Sequence, residues 1–213
     1  MINRELIDPK SIVVVGGSNN VHKPGGRLVR NLLDGKYKGE LYVVNAREDD
    51  VQGLKSYHSV QDIPDTEMAI ISIPGPSCPE AVDILAKQKN VKAFIVVSAG
   101  FGEETHEGAI LENRMLESVN EAGASMIGPN CIGLMNMNFH GVFTQPIPEF
   151  HPDDRMVETL HIGRIRSAGI HGDRIVTVRR AVNIILSGRI LYIRIENETV
   201  HKTSHVIHAD RRI

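Results

Sequence analysis

Short apolar runs rich in β-branched residues alternate with amphipathic segments through the first 150 residues, and this alternation narrows the choice of fold. The runs at residues 11–15, 41–44 and 68–73 are continuous, which is typical of strands buried on both faces of a parallel sheet. Residues 93–97 and 125–127 carry the same signal. Because parallel strands need helical crossovers, we predict an α/β fold with a doubly wound, Rossmann-like, mainly parallel sheet.

Helical signals lie between these runs. Residues 26–33 carry apolar side chains at helical spacing, and Gly35 provides a stop. The sequence from Ser77 to Glu80 has the pattern of a capping box with proline in the first turn, which predicts the start of a second helix. A third helix is predicted over residues 107–122. Each helix follows one strand and precedes another, as right-handed βαβ units require.

Charge and apolar run length exclude several classes of partner. Lys plus Arg number 24 against 26 Asp plus Glu, so the chain lacks a basic field that would attract nucleic acid. The apolar runs are far shorter than the roughly 20 residues of a membrane span, and residues 1–5 lack the apolar core of a signal peptide. We therefore expect a cytoplasmic protein with no membrane contact. Cys78 and Cys131 match no metal-ligand spacing and are expected to be reduced thiols.

The charge composition changes near His151. Residues 1–150 contain 13 basic and 19 acidic residues, a net charge of −6, whereas residues 151–213 contain 11 basic and 7 acidic residues, a net charge of +4. The second segment also holds 6 of the 10 histidines. We predict a sheet domain over residues 1–150 and an atypical basic tail over residues 151–213.

The loops after the strands form the candidate ligand site, because a doubly wound sheet binds its ligands beyond the carboxyl ends of its strands. The loop at residues 16–26 begins and ends with a pair of glycines and leads into a helix. The amides at a helix N-terminus favour an anion such as a phosphate. A simple chain reversal would use the same glycines, so the loop leaves both interpretations open.

The second strand leads to a cation where dinucleotide-binding sites usually have an acid. Nicotinamide and flavin sites normally show G-x-G-x-x-G and a carboxylate at the end of strand two, and neither is present here in standard form. Arg47 follows the strand and favours a phosphorylated ribose, either of coenzyme A or of NADP. The alternative is a solvated surface arginine.

The later strands end in rigid or small residues. Pro74 could form a wall against adenine or a pantetheine arm, or it could simply shape the loop. Small residues within 97–102 and 128–133 would let a ligand approach the backbone closely. Cys131 has no histidine at a motif position that would activate it, so we interpret it as a buried structural thiol rather than a nucleophile.

Five motifs occur in order, one at each strand end: V-G-G-S-N-N, V-N-A-R, S-I-P, S-A-G-F and G-P-N-C-I-G. Over about residues 3–152 this set resembles the CoA-binding domain of NDP-forming acyl-CoA synthetases, a group that includes acetate–CoA ligase and the α subunit of succinyl-CoA synthetase. The resemblance implies coenzyme A as the cofactor. It places these residues at or near the coenzyme: Gly17, Ser18, Asn19, Asn20, Val21, Arg47, Pro74, Val97, Ser98, Ala99, Asn130 and Cys131.

Within that set the resemblance gives different roles to different residues. Residues 18–21 belong to the loop that holds the CoA phosphates, and residues 97–99 line the coenzyme cleft. Arg47 stands where the family usually has a lysine on the phosphates, which keeps the charge but changes its shape. Pro74, Asn130 and Cys131 fall on motif positions near the cleft.

The resemblance also implies an activity that this chain would share with other parts. The family interconverts acyl-CoA, nucleoside diphosphate and phosphate with free acid, CoA and nucleoside triphosphate, through an acyl phosphate and a phosphohistidine. The phosphohistidine belongs to a further α/β domain and the nucleotide to an ATP-grasp partner, so we expect no catalytic residue in this chain. A stand-alone CoA-binding or regulatory module is the alternative, and an NADP-dependent oxidoreductase is weakened by the missing glycine fingerprint.

The tail departs from the family pattern after about residue 153. Family members continue with a stretch resembling F-I-S-G-S-G-A, and a one-base shift of possible codons for residues 160–169 can encode a similar sequence. The basic residues also change from mainly lysine to mainly arginine in this part of the chain, which fits another reading frame. We therefore predict a frameshifted translation from about residue 154 that truncates the enzyme. A genuine small basic module is the alternative, with residues 182–195 as a β-hairpin around Ser187 and Gly188.

Sequencing the coding DNA distinguishes these two origins of the tail. A frameshift predicts that the remaining ligase domains are encoded downstream in another frame. An uninterrupted frame, confirmed by an intact-protein mass that matches the 213-residue sequence, would reject the shift.

Overall fold

The computed structural model describes residues 3–144, 159–167, 177–186 and 189–194. Four helices and twelve strands occur within these ranges. In chain order they are α1 (Arg4–Ile7), β1 (Ser11–Val15), α2 (Pro24–Asp34), β2 (Glu40–Val44), β3 (Asp50–Val51), β4 (Leu54–Tyr57), β5 (Met68–Ile71), α3 (Cys78–Gln88), β6 (Ala93–Val96), α4 (His106–Glu121), β7 (Ser125–Ile127), β8 (Gly133–Met135), β9 (His140–Val142), β10 (Thr159–Ser167), β11 (Thr177–Leu186) and β12 (Arg189–Arg194).

The order of the strands confirms a doubly wound, mainly parallel sheet. Strands β7, β6, β5, β1, β2 and β4 lie side by side and run parallel, and β3 pairs antiparallel with β4 at the edge. The chain passes from β1 to β2 on one side and returns to β5 on the other side of β1. This reversal creates a crevice at the carboxyl ends of β1 and β5, where folds of this class bind ligands.

Two apolar layers cover the sheet and explain why its strands are continuous apolar runs. Ile12 and Val14 of β1 face the layer formed with α2, whereas Val13 and Val15 face the layer formed with α3 and α4. All four side chains are buried. Because alternate residues enter opposite layers, the four buried positions 12–15 of β1 are all apolar.

The helices begin and end close to the predicted positions, with one correction at a cap. Gly35 is the C-cap of α2, as predicted. The prediction of a capping box at Ser77 is wrong. Ser77 belongs to the 3₁₀ turn Gly75–Ser77 and has helical backbone angles, φ −88° and ψ −12°. Its side chain makes no capping hydrogen bond, which normally requires an extended N-cap residue. Pro79 does lie in the first turn of α3.

Within residues 3–144, the sequence did not predict α1, the β3–β4 hairpin or the β8–β9 hairpin. The second hairpin packs against α2, where the buried side chain of Asn31 donates a hydrogen bond of 2.6 Å to the carbonyl oxygen of Val142. Among the described ranges, no helix has the length and apolar character to cross a bilayer.

Three antiparallel strands continue the sheet beyond β7. Strand β10 pairs with β7, and β11 pairs with both β10 and β12. Leu186 and Arg189 are partners across residues 187–188, a pairing that agrees with the hairpin alternative. Residues 187–188 and the predicted boundary near His151 lie outside the described ranges, so the frameshift and the two-part division remain predictions.

Glycines allow α2 to approach β1 closely. A Cβ atom on Gly25 would overlap the carbonyl oxygen of Gly16, and one on Gly26 would overlap the carbonyl oxygen of Asn20. Gly16 also has φ +87°, a conformation that favours glycine. The loop between β1 and α2 therefore requires glycine for steric reasons, whatever ligand it binds.

We predict that Gly25→Ala destabilises the fold by about 3 kcal/mol or more, because the new methyl group meets backbone atoms rather than flexible side chains. Gly53→Ala is the matched control. Gly53 has φ +85° but open space around it, so only the left-handed backbone is penalised, by about 1–2 kcal/mol. Urea unfolding followed by circular dichroism measures both free energies. Equal losses in the two variants would contradict the steric explanation.

Candidate functional site

A cleft of about 740 Å³ opens at the carboxyl ends of β1, β2 and β5. The glycine loop after β1 lines one end, the turn after β2 lines one side, and the start of α3 lines the other. Its position is the switch point of the sheet. The polar and rigid residues that line it include Gly17, Ser18, Lys23, Asn45, Arg47, His58, Pro74 and Glu80.

The N-terminus of α2 begins at the glycine-loop end of the cleft. Lys23 is the N-cap residue and lines the cleft, but its side chain does not cap the helix. The amides of Gly25 and Gly26 lie in the first turn, where no preceding helical carbonyl can accept from them. The helix dipole adds partial positive charge at the same place. These groups together favour a phosphate.

Asn45 joins the turn after β2 to the glycine loop. Its Nδ2 donates a hydrogen bond of 2.7 Å to the carbonyl oxygen of Gly17. Its Oδ1 accepts from the amides of Arg47 at 2.9 Å and Glu48 at 3.1 Å, which forms an Asx turn. Asn45 stands in the V-N-A-R motif but was not predicted as a site residue, since its contact with Gly17 links positions 28 residues apart.

Arg47 is exposed at the rim of the cleft. Within the described residues, its guanidinium takes part in no ion pair or hydrogen bond, so it can bind an anionic ligand without breaking a protein contact. His58 lines the same side, with Nε2 2.9 Å from Asp49 Oδ1 and Nδ1 3.1 Å from the carbonyl oxygen of Asn45. Lys23 and Arg47 therefore give the lining of the cleft two positive charges, whereas Glu80 lines the α3 side.

Four of the twelve predicted site residues line the cleft: Gly17, Ser18, Arg47 and Pro74. The loop asparagines act differently, because their side chains bond within the protein. Asn19 donates through Nδ2 to Glu48 Oε2 at 3.0 Å, and Asn20 Oδ1 accepts from the amide of His22 at 2.9 Å. Asn19, Asn20 and Val21 lie next to the cleft and shape the loop that borders it.

The predicted residues after β6 also lie outside the cleft lining. Ser98 Oγ donates a hydrogen bond of 2.6 Å to the carbonyl oxygen of Ile73 and accepts one of 3.1 Å from the backbone amide of Ile73. Val97 is buried and Ala99 is exposed. Ser98 thus holds Ile73, which does line the cleft, and acts on the site through that contact.

Asn130 and Cys131 support the loop after β7. Asn130 has φ +54°, and its amide donates to the carbonyl oxygen of Ser98 at 2.8 Å. Cys131 is buried, and its Sγ donates to the carbonyl oxygen of Val96 at 3.3 Å. Burial raises the pKa of the Cys131 thiol to about 12. These contacts support the interpretation of Cys131 as a structural thiol.

The sequence of this sheet domain matches a known family. Residues 10–137, more than half of the chain, match the family described as the CoA binding domain. The chain belongs to the CoA-binding domain family. This membership confirms the resemblance that the five strand-end motifs indicated, and with it coenzyme A as the cofactor.

Relatives of this CoA-binding domain include two ADP-forming ligases. Acetate–CoA ligase II of Archaeoglobus fulgidus is 42% identical over 134 residues, which cover 62% of this chain and 20% of that protein. The α subunit of acetate–CoA ligase II of Pyrococcus furiosus is 39% identical over 133 residues, which cover 62% of this chain and 28% of that subunit. The chain therefore spans only 20% to 28% of the length of these relatives.

A solved structure has the same fold. The dinucleotide forming acetyl-coenzyme A synthetase 1 of Ca. Korarchaeum cryptofilum, in complex with phosphate and ADP, aligns with a TM-score of 0.61 at 32% identity. The alignment covers 65% of this chain and 30% of the synthetase. The CoA-binding domain is thus homologous to one part of an NDP-forming acyl-CoA synthetase.

Both thiols of the CoA-binding domain should be inert in the folded protein at pH 8. Burial raises the pKa of Cys78 to about 11 and that of Cys131 to about 12, and the thiolate is the reactive form. We predict that iodoacetamide labels neither thiol until urea unfolds the chain, as followed by mass spectrometry. Rapid labelling of either thiol before unfolding would contradict this.

The same pKa shifts predict how stability depends on pH. In the unfolded chain both thiols regain an ordinary pKa of about 8.5. Below that pH both thiols are neutral in the folded and in the unfolded chain, so their contribution to the free energy of unfolding is at its full value. Above it, ionisation favours the unfolded chain, so the free energy of unfolding should fall as the pH rises from 8 toward the folded values.

Proposed function

We propose that the domain binds coenzyme A in the cleft at the ends of β1, β2 and β5, with the phosphates at the glycine-loop end. The observation that carries this proposal is that the cleft is lined both by Arg47 and by Lys23, the N-cap residue of α2. Coenzyme A carries both a pyrophosphate and a ribose phosphate. A cationic rim beside a helix N-terminus suits these groups.

The side of the cleft formed by the end of β5 and the start of α3 suits the apolar parts of coenzyme A. Ile73 and Pro74 follow β5, and Ala81 and Ile84 line the cleft from α3. These side chains expose little that can form hydrogen bonds, so they favour a flat adenine or the pantetheine arm. Gly17, Ser18, Arg47 and Pro74 are the predicted residues that we assign to direct contact, and the other predicted residues support them.

We further infer that the domain serves an NDP-forming acyl-CoA synthetase of the cytoplasm. Such an enzyme converts acyl-CoA, ADP and phosphate into acid, CoA and ATP. The two curated relatives are named as ADP-forming acetate–CoA ligases, and one is an α subunit, which supports a partner chain. In this proposal the domain holds CoA, while an ATP-grasp partner and a phosphohistidine domain perform the phosphoryl transfers.

The binding test compares ligands and variants by isothermal titration calorimetry on the full chain. We expect CoA to bind and NADPH to bind weakly or not at all. Arg47→Ala should lower the affinity for CoA about tenfold, because it removes one charge-assisted hydrogen bond to a phosphate. Arg47→Lys should recover part of the loss by restoring the charge. Lys38→Ala is the matched control, since Lys38 is exposed and follows α2 at the opposite end of the sheet.

Two outcomes would overturn the binding proposal. One is tight binding of NADPH without binding of CoA, which would favour the oxidoreductase alternative. The other is an equal effect of Lys38→Ala and Arg47→Ala, which would mean that net charge rather than the cleft determines affinity. For the activity, ATP formation from acetyl-CoA, ADP and phosphate is expected only when an ATP-grasp partner and a phosphohistidine domain are added. CoA binding without ATP formation in that mixture favours the stand-alone module.

A further inference from the structure

The β3–β4 hairpin approaches the glycine loop from the edge of the sheet. Its strands are joined by Gln52 and Gly53, which have φ +56° and φ +85°. Two consecutive residues with positive φ form the tight turn that suits the twist of a β-hairpin. The turn brings the Gln52 side chain to the loop between β1 and α2.

The amide of Gln52 bridges the two ends of the glycine loop. Its Nε2 donates one hydrogen bond to the carbonyl oxygen of Ser18 and one to that of Gly26, both at 2.8 Å. Ser18 stands at the start of the loop and lines the cleft, whereas Gly26 lies in the first turn of α2. A single side-chain group therefore fixes the distance between them.

The loop holds the hairpin in return through Asn19. Asn19 Oδ1 accepts from the backbone amide of Gln52 at 2.8 Å, and its Nδ2 donates to the carbonyl oxygen of Asp50 at 2.8 Å. The side chain of each residue thus bonds to the segment that carries the other. We call the Asn19 and Gln52 side chains, with these hydrogen bonds, the loop clamp.

We propose that Gln52 is a positioning residue for the phosphate end of the coenzyme site. This inference rests on the proposed function, because it assumes that the glycine loop and the start of α2 receive the phosphates. The loop has no regular structure of its own, and ordering it during binding would reduce affinity. With the loop clamp in place, Ser18 and the α2 amides are already arranged before the ligand enters.

The first test replaces Gln52 in the full chain and measures CoA affinity by calorimetry. Gln52→Met keeps the length of the side chain but removes both donors. We expect CoA to bind about tenfold more weakly, because the loop must then be ordered by the ligand. Gln88→Met is the matched control, since Gln88 is exposed at the last turn of α3 and should leave affinity unchanged.

A second variant covers the case in which Gln52→Met fails to fold. Gln52→Asn places a residue that tolerates positive φ better than most at the same position, so the hairpin turn should form. Its side chain is one carbon shorter and cannot bridge both carbonyl oxygens. We expect the same loss of CoA affinity as for Gln52→Met.

Amide hydrogen exchange of the ligand-free protein provides a readout that a general loss of stability would not give. In both variants, exchange should accelerate in residues 17–26 and stay unchanged in α3. Acceleration spread evenly over the domain, or wild-type affinity for CoA in both variants, would overturn the positioning role. Failure of the wild-type chain itself to bind CoA would overturn the proposed function, and this arm is measured first.

Discussion

The direct contact between the first turn of α2 and the end of β1 is the constraint on which the site depends. Glycine at position 25 permits this contact, because a Cβ atom there would overlap the backbone of Gly16. Glycine at positions 16 and 26 avoids similar overlaps with the backbone of Ser72 and of Asn20. The contact sets the helix N-terminus beside the carboxyl ends of β1 and β5, where the sheet reverses its order. The cleft lies at this place, with Lys23 and Arg47 in its lining.

The central sheet was predictable because its physical signal is local. Residues such as Val13 and Ile70 belong to strands buried on both faces, so the apolar runs alone indicate where the strands lie. The strand-end loops also follow from topology, which places their sequences at one edge of the sheet. Arg47 could be identified for this reason, since a cation directly after the second strand must lie at the ligand edge.

The remaining features depend on contacts between distant residues or on exact backbone angles. Asn45 and Gln52 reach partners 26 to 34 positions away, and neither shows a local pattern that reveals these partners. The two-residue strand β3 is too short to produce a periodic signal. Ser77 had the right sequence for a cap, but the preceding 3₁₀ turn gave it the wrong backbone angles. Ser98 was placed at the cleft by its motif, yet its hydroxyl is used to hold Ile73.

The loops after β5, β6 and β7 are joined in series by hydrogen bonds. Ser98 Oγ bonds to Ile73, and the carbonyl oxygen of Ser98 accepts from the amide of Asn130. The three segments therefore form one mechanical unit, although they are far apart in the chain. Because residues within one hydrogen-bond network do not act independently, we expect substitutions in these loops to be tolerated in compensating sets rather than singly during evolution.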